Sequence, residues 1–227
     1  MNTADLTAIL LTAKLAGVTT LILLIIGLPL AWWLAHCRWR TKPILEAIIA
    51  LPLVLPPTVL GFYLLIAFAP NQVIGQLWFG LTGQQLAFSF EALVIGSVLY
   101  SLPFVIQPLQ ASFEQFPKAL LETAATLGAR PLARFFKLVL PLTRRSLLTA
   151  ASLGFAHTLG EFGVVLMIGG NIPGETQLLS ILLFDHVEAL RYQQAHWLAG
   201  GLLLFSLLLL SIIYRFNRSS FPLRSER

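Results

Sequence analysis

Charged residues are scarce in this sequence, since Asp, Glu, Lys and Arg make up 11% of its 227 residues. Soluble domains contain about 25% of such residues. The hydrophobic share is 57% and the mean hydropathy is +0.81. The shortage of charge excludes an ordinary soluble domain and predicts an all-α integral membrane protein.

Signatures of several enzyme classes are also missing. The chain has no G-x-x-x-x-G-K-[ST] stretch, which excludes ATP hydrolysis by the P-loop route. It has no H-E-x-x-H, C-x-x-C or G-x-S-x-G, and its four histidines are scattered, so we expect neither a metal site nor a cofactor bound by this chain. Its one cysteine, Cys37, excludes an internal disulfide.

Long uncharged runs predict the membrane-spanning helices, because a span needs about 20 mainly apolar residues. The polar stretches APNQ at 69–72 and GLTGQQ at 80–85 mark where the longest run leaves the hydrocarbon. We predict one transmembrane domain over 1–227, with five spans near 12–35, 47–69, 90–112, 145–168 and 194–214. A cleaved signal peptide is the alternative for the first span, but its apolar run is too long and too weakly basic at its start.

The basic residues are unevenly distributed between the predicted loops. Five spans place 13 of the 15 Lys and Arg residues on one side, in loops 36–46 and 113–144 and in the tail, where Arg218, Arg224 and Arg227 lie. The positive-inside rule assigns that side to the cytoplasm and the N-terminus to the outside. Anionic headgroups therefore explain the basic pI of about 9.8 without nucleic acid.

The cytoplasmic loop 114–142 has the pattern of two short amphipathic helices. Pro117 suits the first helical position and Gly128 the left-handed turn that ends the first helix. Pro131 restarts the chain and Pro141 is expected to end the second helix. Apolar residues line one face of this helix, and Arg130, Arg134 and Lys137 form a basic stripe opposite. The pattern alone leaves two readings open, a hairpin resting on lipid headgroups and a docking module for another protein.

The same loop resembles the EAA signature of ABC-importer permease subunits, E-A-A-x-x-x-G, nine residues, then I-x-L-P. Thr123 and Leu138 depart from that pattern, while Glu122, Gly128 and the final Leu-Pro stand at full spacing. The resemblance implies a cytoplasmic segment that couples to a separate ATPase. The residues that it marks for this role are Glu122, Thr123, Ala124, Gly128, Arg134, Lys137, Leu140 and Pro141.

Two further stretches, LPLVLPPTVLGFYLL at 51–65 and LGEFGVVLMIGGNIPGETQ at 159–177, resemble the molybdate, tungstate and sulfate branch of these permeases. The short chain is most similar to molybdate permeases. The resemblance implies a homodimer, two ABC ATPase subunits that use ATP and Mg²⁺, and an external molybdate-binding protein. Sulfate or another tetrahedral oxyanion stays open as the cargo, and a membrane enzyme or scaffold is the rival class.

Helix-breaking and polar residues within the spans give the candidate pathway. Prolines at 52, 56 and 57 predict that the second span kinks or opens, and broken helices often form transport sites. Glu161 is the one carboxylate well inside a predicted span, and we prefer a structural, hydrogen-bonded role to substrate contact or a proton relay. The candidate pathway or gate residues are Pro56, Pro57, Thr58, Ser101, Thr158, Glu161 and Asn171.

Overall fold

The computed structural model describes residues 3–217, and within this range the secondary structure is entirely helical. Three helices are long and apolar enough to cross a membrane alone, and the count rises to five if two bent helix pairs are one span each. The all-α membrane fold is confirmed. The basic tail residues 218, 224 and 227 lie outside the described range. The helices that form the body are α1 (Thr3–His36), α2 (Lys42–Val54), α3 (Pro57–Phe68), α4 (Val73–Thr82) and α5 (Phe90–Glu114).

The second half of the chain begins with several short helices and ends with a long apolar helix. Its elements are α6 (Lys118–Thr126), α7 (Pro131–Arg134), a π-helical segment (Phe135–Val139), α8 (Leu140–Leu142), α9 (Arg144–Leu159), α10 (Gly163–Gly169), α11 (Leu179–Glu188) and α12 (Tyr192–Asn217). Helix α1 begins nine residues before the predicted span, and at about 1.5 Å per residue it is longer than a 30 Å hydrocarbon core requires.

Two of the predicted spans are broken rather than continuous. The segment predicted at 47–69 consists of α2 and α3, which meet at an angle of 109°. Pro56 and Pro57 cause this break, because neither proline can donate a backbone N–H to the preceding turn. The segment predicted at 145–168 consists of α9 and α10, which meet at 59° around Gly160–Phe162.

Helix α5 is central, and α1, α9 and α10 pack around it through small residues. A Cβ atom added to Gly154 of α9 would lie 2.7 Å from Val105 of α5, and one added to Gly27 of α1 would lie 3.3 Å from the same side chain. Three apolar clusters fill the interior of the described chain, one around Leu93 and Ile168, one around Val105 and Phe113, and a smaller one around Leu179 and Leu198. Close helix approach at glycines is typical of membrane proteins, in which lipid removes the hydrophobic drive for association.

Helix α12 lies at the periphery of the bundle. In its most apolar 18-residue window, 6% of the residues are buried, compared with 50% for α5. Ala195 and Leu198 are the buried residues of α12 within the described side chains. Most of the α12 surface therefore faces either lipid or another chain.

Candidate functional site

The segment 114–142 contains the turn that the sequence predicts at Gly128. Gly128 has a φ of +81°, in the left-handed region that side chains disfavour. Its N–H donates to the Ala125 carbonyl at 2.9 Å, and the N–H of Ala129 donates to the Ala124 carbonyl at 2.9 Å. These two bonds form a Schellman motif, which closes the end of α6. Pro117 is the N-cap of α6, one position before the predicted one.

The sequence predicts that the second helix of this segment ends at Pro141, but in the structure the helix continues past this residue. The α-helical turn at Pro131 widens into the π-helical segment, where the Leu140 N–H donates to the Phe135 carbonyl. Pro141 then lies inside the short helix α8, which extends to Leu142. The wider turn changes the hydrogen-bond register just before the proline, so its missing N–H leaves the helical path uninterrupted.

The predicted apolar face of this helix is divided between two directions. Val139 is fully buried, and the Phe135 ring packs edge-on against Trp32 with ring centroids 5.2 Å apart. Leu132 and Phe136 are 74% and 60% exposed. The exposed pair belongs to a set of large apolar side chains on α6, its turn and the second helix. We call this set the coupling surface: Leu120, Leu127, Leu132 and Phe136.

The polar residues of the segment also differ in what they contact. Arg134 donates from Nη1 to the Leu121 carbonyl at 3.3 Å, so it joins the two short helices rather than standing in a free basic stripe. Lys137 and Glu122 are exposed. The Thr123 hydroxyl donates to the Ala119 carbonyl at 2.8 Å, and Ala124 and Leu140 are half-buried.

The breaks in the two bent spans lie side by side. Pro56 is the N-cap of α3 and Pro57 is its first residue. A Cβ atom added to Gly163, the first residue of α10, would lie 2.7 Å from the Pro57 Cβ. The Thr58 side chain, next along α3, is exposed. Glycine is therefore required at 163 for the two broken helices to meet.

A row of hydrogen bonds, which we call the polar seam, links the α9–α10 break to α5. Its members are Ser97, Ser101, His157, Thr158 and Glu161. The Ser97 hydroxyl donates to Glu161 Oε2 at 2.7 Å, and Ser101 Oγ lies 2.8 Å from His157 Nδ1 and 3.1 Å from Thr158 Oγ1. The structure thus brings together the predicted residues Ser101, Thr158 and Glu161.

The donor in one hydrogen bond of the polar seam follows from a neighbouring contact. Thr158 Oγ1 donates to the Gly154 carbonyl at 3.0 Å, so it is free to accept from the Ser101 hydroxyl. If the Ser101 hydroxyl donates to Thr158 in this way, Ser101 Oγ accepts from the Nδ1–H tautomer of His157. The imidazole stacks on Phe104 with centroids 3.9 Å apart, and Tyr100 contacts it at 4.7 Å. These ring contacts fix the plane of the His157 imidazole.

Sequence reasoning missed His157 and Ser97. Their signal was spacing, since Ser97 and Ser101 are four residues apart on α5, and His157 and Glu161 four apart on the other side. Glu161 has a further contact, because its backbone carbonyl accepts from the Ser180 hydroxyl at 2.6 Å. Its Oε1 is buried and has no hydrogen-bond partner among the described residues.

Asn171 lies apart from the seam, in the turn after α10. Its Nδ2 donates to the two carboxylate oxygens of Asp185 at 3.0 and 3.3 Å, and Gln177 Nε2 donates to the same carboxylate at 3.1 Å. Gly170, Asn171 and Gly174 have positive φ angles. Asn171 therefore positions a compact loop, and nothing in its contacts joins it to Ser101 or Glu161.

Comparisons with known proteins identify relatives over nearly the whole chain. Residues 27–221 match the family model described as "Binding-protein-dependent transport system inner membrane component". The molybdenum transport system permease protein ModB of Azotobacter vinelandii is 58% identical over 94% of this chain and 95% of its own. The protein of the same name in Escherichia coli K12 is 34% identical, over 80% and 79% of the two chains. The sulfate transport system permease protein CysT of Synechocystis is 33% identical, over 89% of this chain and 70% of its own.

Solved structures show the same fold at low sequence identity. A bacterial alginate ABC transporter in complex with its oligosaccharide-bound periplasmic protein gives a TM-score of 0.75 at 14% identity, over 96% of this chain and 80% of that chain. The MetNI methionine ABC transporter gives a TM-score of 0.72 at 17% identity, over 96% and 99%.

Proposed function

The chain belongs to the family of binding-protein-dependent transport system inner membrane components, and on that premise we propose that it forms the molybdate pathway of an ABC importer. It is a multi-pass inner-membrane permease subunit, not an ATP-hydrolysing one. The observation that carries the proposed cargo is the 58% identity, over almost the full length of both chains, with a permease named for molybdenum transport.

Sulfate is the competing cargo, and tungstate is the expected co-substrate because it is a tetrahedral dianion like molybdate. Relatives named for sulfate transport are 33% identical and longer than this chain, although the Escherichia coli molybdenum permease is also only 34% identical. The preference for molybdate over sulfate as the proposed cargo therefore rests on the similarity to the Azotobacter relative. Lys and Arg are absent from 47–69, 90–112 and 146–168. A pathway with so little fixed positive charge releases a dianion readily, which leaves selection to an external binding protein.

The coupling surface supports the proposed assembly with ATPase subunits. Four large apolar side chains stand exposed on a segment that also carries exposed Glu122 and Lys137. Apolar groups surrounded by charge are typical of protein-binding sites. We propose that two copies of the chain form the pathway, that each seats this surface in one ATPase, and that the N-terminus lies outside.

In the proposed cycle, ATP and Mg²⁺ bind to the partner ATPases and draw the two coupling segments together. Because the Phe135 and Val139 side chains are packed into the interior, movement of the segment pulls on the helix bundle. The broken spans then reorient, the pathway opens outward to receive molybdate from the binding protein, and hydrolysis restores the inward-facing state.

Uptake of labelled molybdate, with labelled sulfate in parallel, tests this function in cells lacking the chain and in cells given it back. We expect molybdate uptake to return, and excess unlabelled tungstate to compete more strongly than excess sulfate. Recovery of sulfate uptake alone would support the permease function but show that molybdate is not the cargo. Recovery of neither anion would overturn both.

A further inference from the structure

A cavity of about 580 Å³ lies between α12 and the body of the protein, away from the coupling surface and the polar seam. Its size is within the range of about 300–1,000 Å³ found for small-molecule sites. Helices α1 and α12 form the two long walls, and Phe155, Leu159 and Leu179 close the inner side.

The lining of this cavity is polar at one end and apolar along the rest. Asp5 and Gln194 stand at the polar end, where Asp5 Oδ1 lies 3.6 Å from His186 Nε2. Thr12 contributes no free donor, since its hydroxyl donates to the Ala8 carbonyl and accepts from the Leu179 N–H. Towards the other end the lining is aliphatic and aromatic, ending at Phe205.

The depth of the cavity matches one leaflet of a bilayer. Gln194 and Phe205 are eleven residues apart on α12, which at about 1.5 Å per residue gives about 16 Å. The hydrocarbon core of a bilayer is about 30 Å thick, so this depth is about half of the core. In the most apolar window of α12 only 6% of the residues are buried, which leaves most of this helix surface open to lipid.

We propose that this cavity binds one acyl chain of a phospholipid whose headgroup carries an ammonium ion. The apolar length fits an acyl chain in the leaflet nearer the N-terminus. The Asp5 carboxylate is buried at the polar end beside His186, and its negative charge favours an ammonium there over an anionic headgroup. Arg191 is exposed three residues before Gln194, and within this proposal its guanidinium binds the lipid phosphate. The bound chain would fill the gap behind α12 and attach this helix to the bundle.

Two adjacent glycines of α12 provide a matched test. Gly201 lines the cavity and Gly200 does not, and a Cβ atom added to either would meet no atom within 4 Å. Gly201→Phe should fill the cavity, whereas Gly200→Phe adds the same bulk outside it. The full-length protein is purified in detergent with its copurifying subunits, and native mass spectrometry measures retained phospholipid. Melting temperature is measured in nanodiscs of phosphatidylglycerol alone and in nanodiscs of phosphatidylglycerol mixed with phosphatidylethanolamine.

We expect wild type and Gly200→Phe to retain a phosphatidylethanolamine that Gly201→Phe loses at least tenfold. We also expect phosphatidylethanolamine to raise the melting temperature of wild type above its value in phosphatidylglycerol, and this difference to vanish in Gly201→Phe. Equal lipid retention by the two variants would overturn the site. Loss of self-association in Gly201→Phe, with lipid unchanged, would instead assign the cavity to a second copy of the chain. Preference for phosphatidylglycerol would overturn the headgroup assignment.

Discussion

Gly128 closes the C-terminal end of α6, where the backbone turns into the left-handed region. The predicted left-handed turn is present, with a φ of +81°, and open space surrounds the position of a Cβ atom. Glycine is therefore needed at this position for its left-handed backbone conformation, and not because a side chain would lack space. A glycine directly after a helical apolar repeat is a local signal, and local signals can be read without tertiary structure.

Gly128→Val should reduce molybdate uptake by more than tenfold at equal membrane abundance. Left-handed backbone costs an L-residue about 1–2 kcal/mol, and a β-branched side chain fits it least well, so the turn would rearrange. Gly128→Asn is the matched control, because Asn tolerates this conformation and should retain most uptake. Copurification with the ATPase should fall in the first variant alone. Normal uptake by Gly128→Val would refute a role for the turn.

Glu161 illustrates what the sequence could not predict at this scale. Its isolation in an apolar span indicated a buried carboxyl, but its hydrogen-bond partner Ser97 lies 64 residues away and becomes visible only in the folded chain. The same holds for His157 and Ser101, which are 56 residues apart. Long-range polar pairs leave no local periodicity, so the polar seam was only partly predicted.

Replacing Glu161 distinguishes a structural role from a direct one. Glu161→Gln keeps an oxygen that accepts from the Ser97 hydroxyl, and we expect its uptake and melting temperature to remain close to wild type. Glu161→Leu leaves that buried hydroxyl without its acceptor, which costs about 1–3 kcal/mol and should lower the melting temperature. Thermal unfolding in nanodiscs and labelled-molybdate uptake measure the two effects. A stable Glu161→Gln protein that fails to transport would assign the charge a direct role.

At the element scale, composition and charge indicated where the chain crosses the membrane, but not how each crossing is shaped. The prolines at 56 and 57 predicted an interruption, and the structure contains one of 109°. No proline in the sequence indicates the break between α9 and α10. Its cause is tertiary, because Gly163 must lie against Pro57 while Glu161 bonds to α5.

Two glycines at that break test the contact between the bent spans. A Cβ atom at Gly163 would lie 2.7 Å from the Pro57 Cβ, whereas one at Gly160 would have its nearest neighbour at 3.9 Å. Gly163→Ala should therefore separate α3 from α10, costing about 1–3 kcal/mol and reducing uptake, while Gly160→Ala should be tolerated. Melting temperature and uptake of the two variants provide the comparison. Equal behaviour of the two variants would show that the breaks need not touch.

An ion pair links two elements that flank the coupling segment. Lys42 Nζ donates to Glu114 Oε1 at 2.9 Å, which joins the start of α2 to the end of α5, three residues before Pro117. Glu46 adds a second carboxylate 3.5 Å from Lys42. The link lies between the coupling segment and the bent α2–α3 pair, so we expect it to transmit movement between them.

Lys42→Glu should lower uptake several-fold, because it places three carboxylates together and removes a pair worth about 0.2–1 kcal/mol. The double variant Lys42→Glu, Glu114→Lys restores opposite charges and should recover part of the loss. The informative measurement is molybdate transported per ATP hydrolysed, which simple destabilisation would leave unchanged. A double variant no better than the single one would remove the ion pair from the coupling route.

At the scale of the whole molecule, the uneven distribution of charge predicts orientation. With 13 of 15 basic residues on one side, the coupling segment should face the cytoplasm and the turn at Asn171 should face outward. Packing within the helix bundle does not determine its orientation in the membrane, because the same bundle could be inserted either way. Orientation thus comes from the charges in the loops rather than from packing.

Labelling of single thiols tests this orientation. In a Cys37→Ser background, Pro173→Cys and Arg130→Cys place one thiol at an exposed position of each loop. A membrane-impermeant maleimide should label position 173 in intact cells whose outer membrane has been made permeable, and position 130 only after the inner membrane is opened. The Cys37→Ser parent is the control for background labelling. The opposite pattern would place the coupling surface outside, where no ATPase could reach it, and would contradict the proposed mechanism as well as the topology.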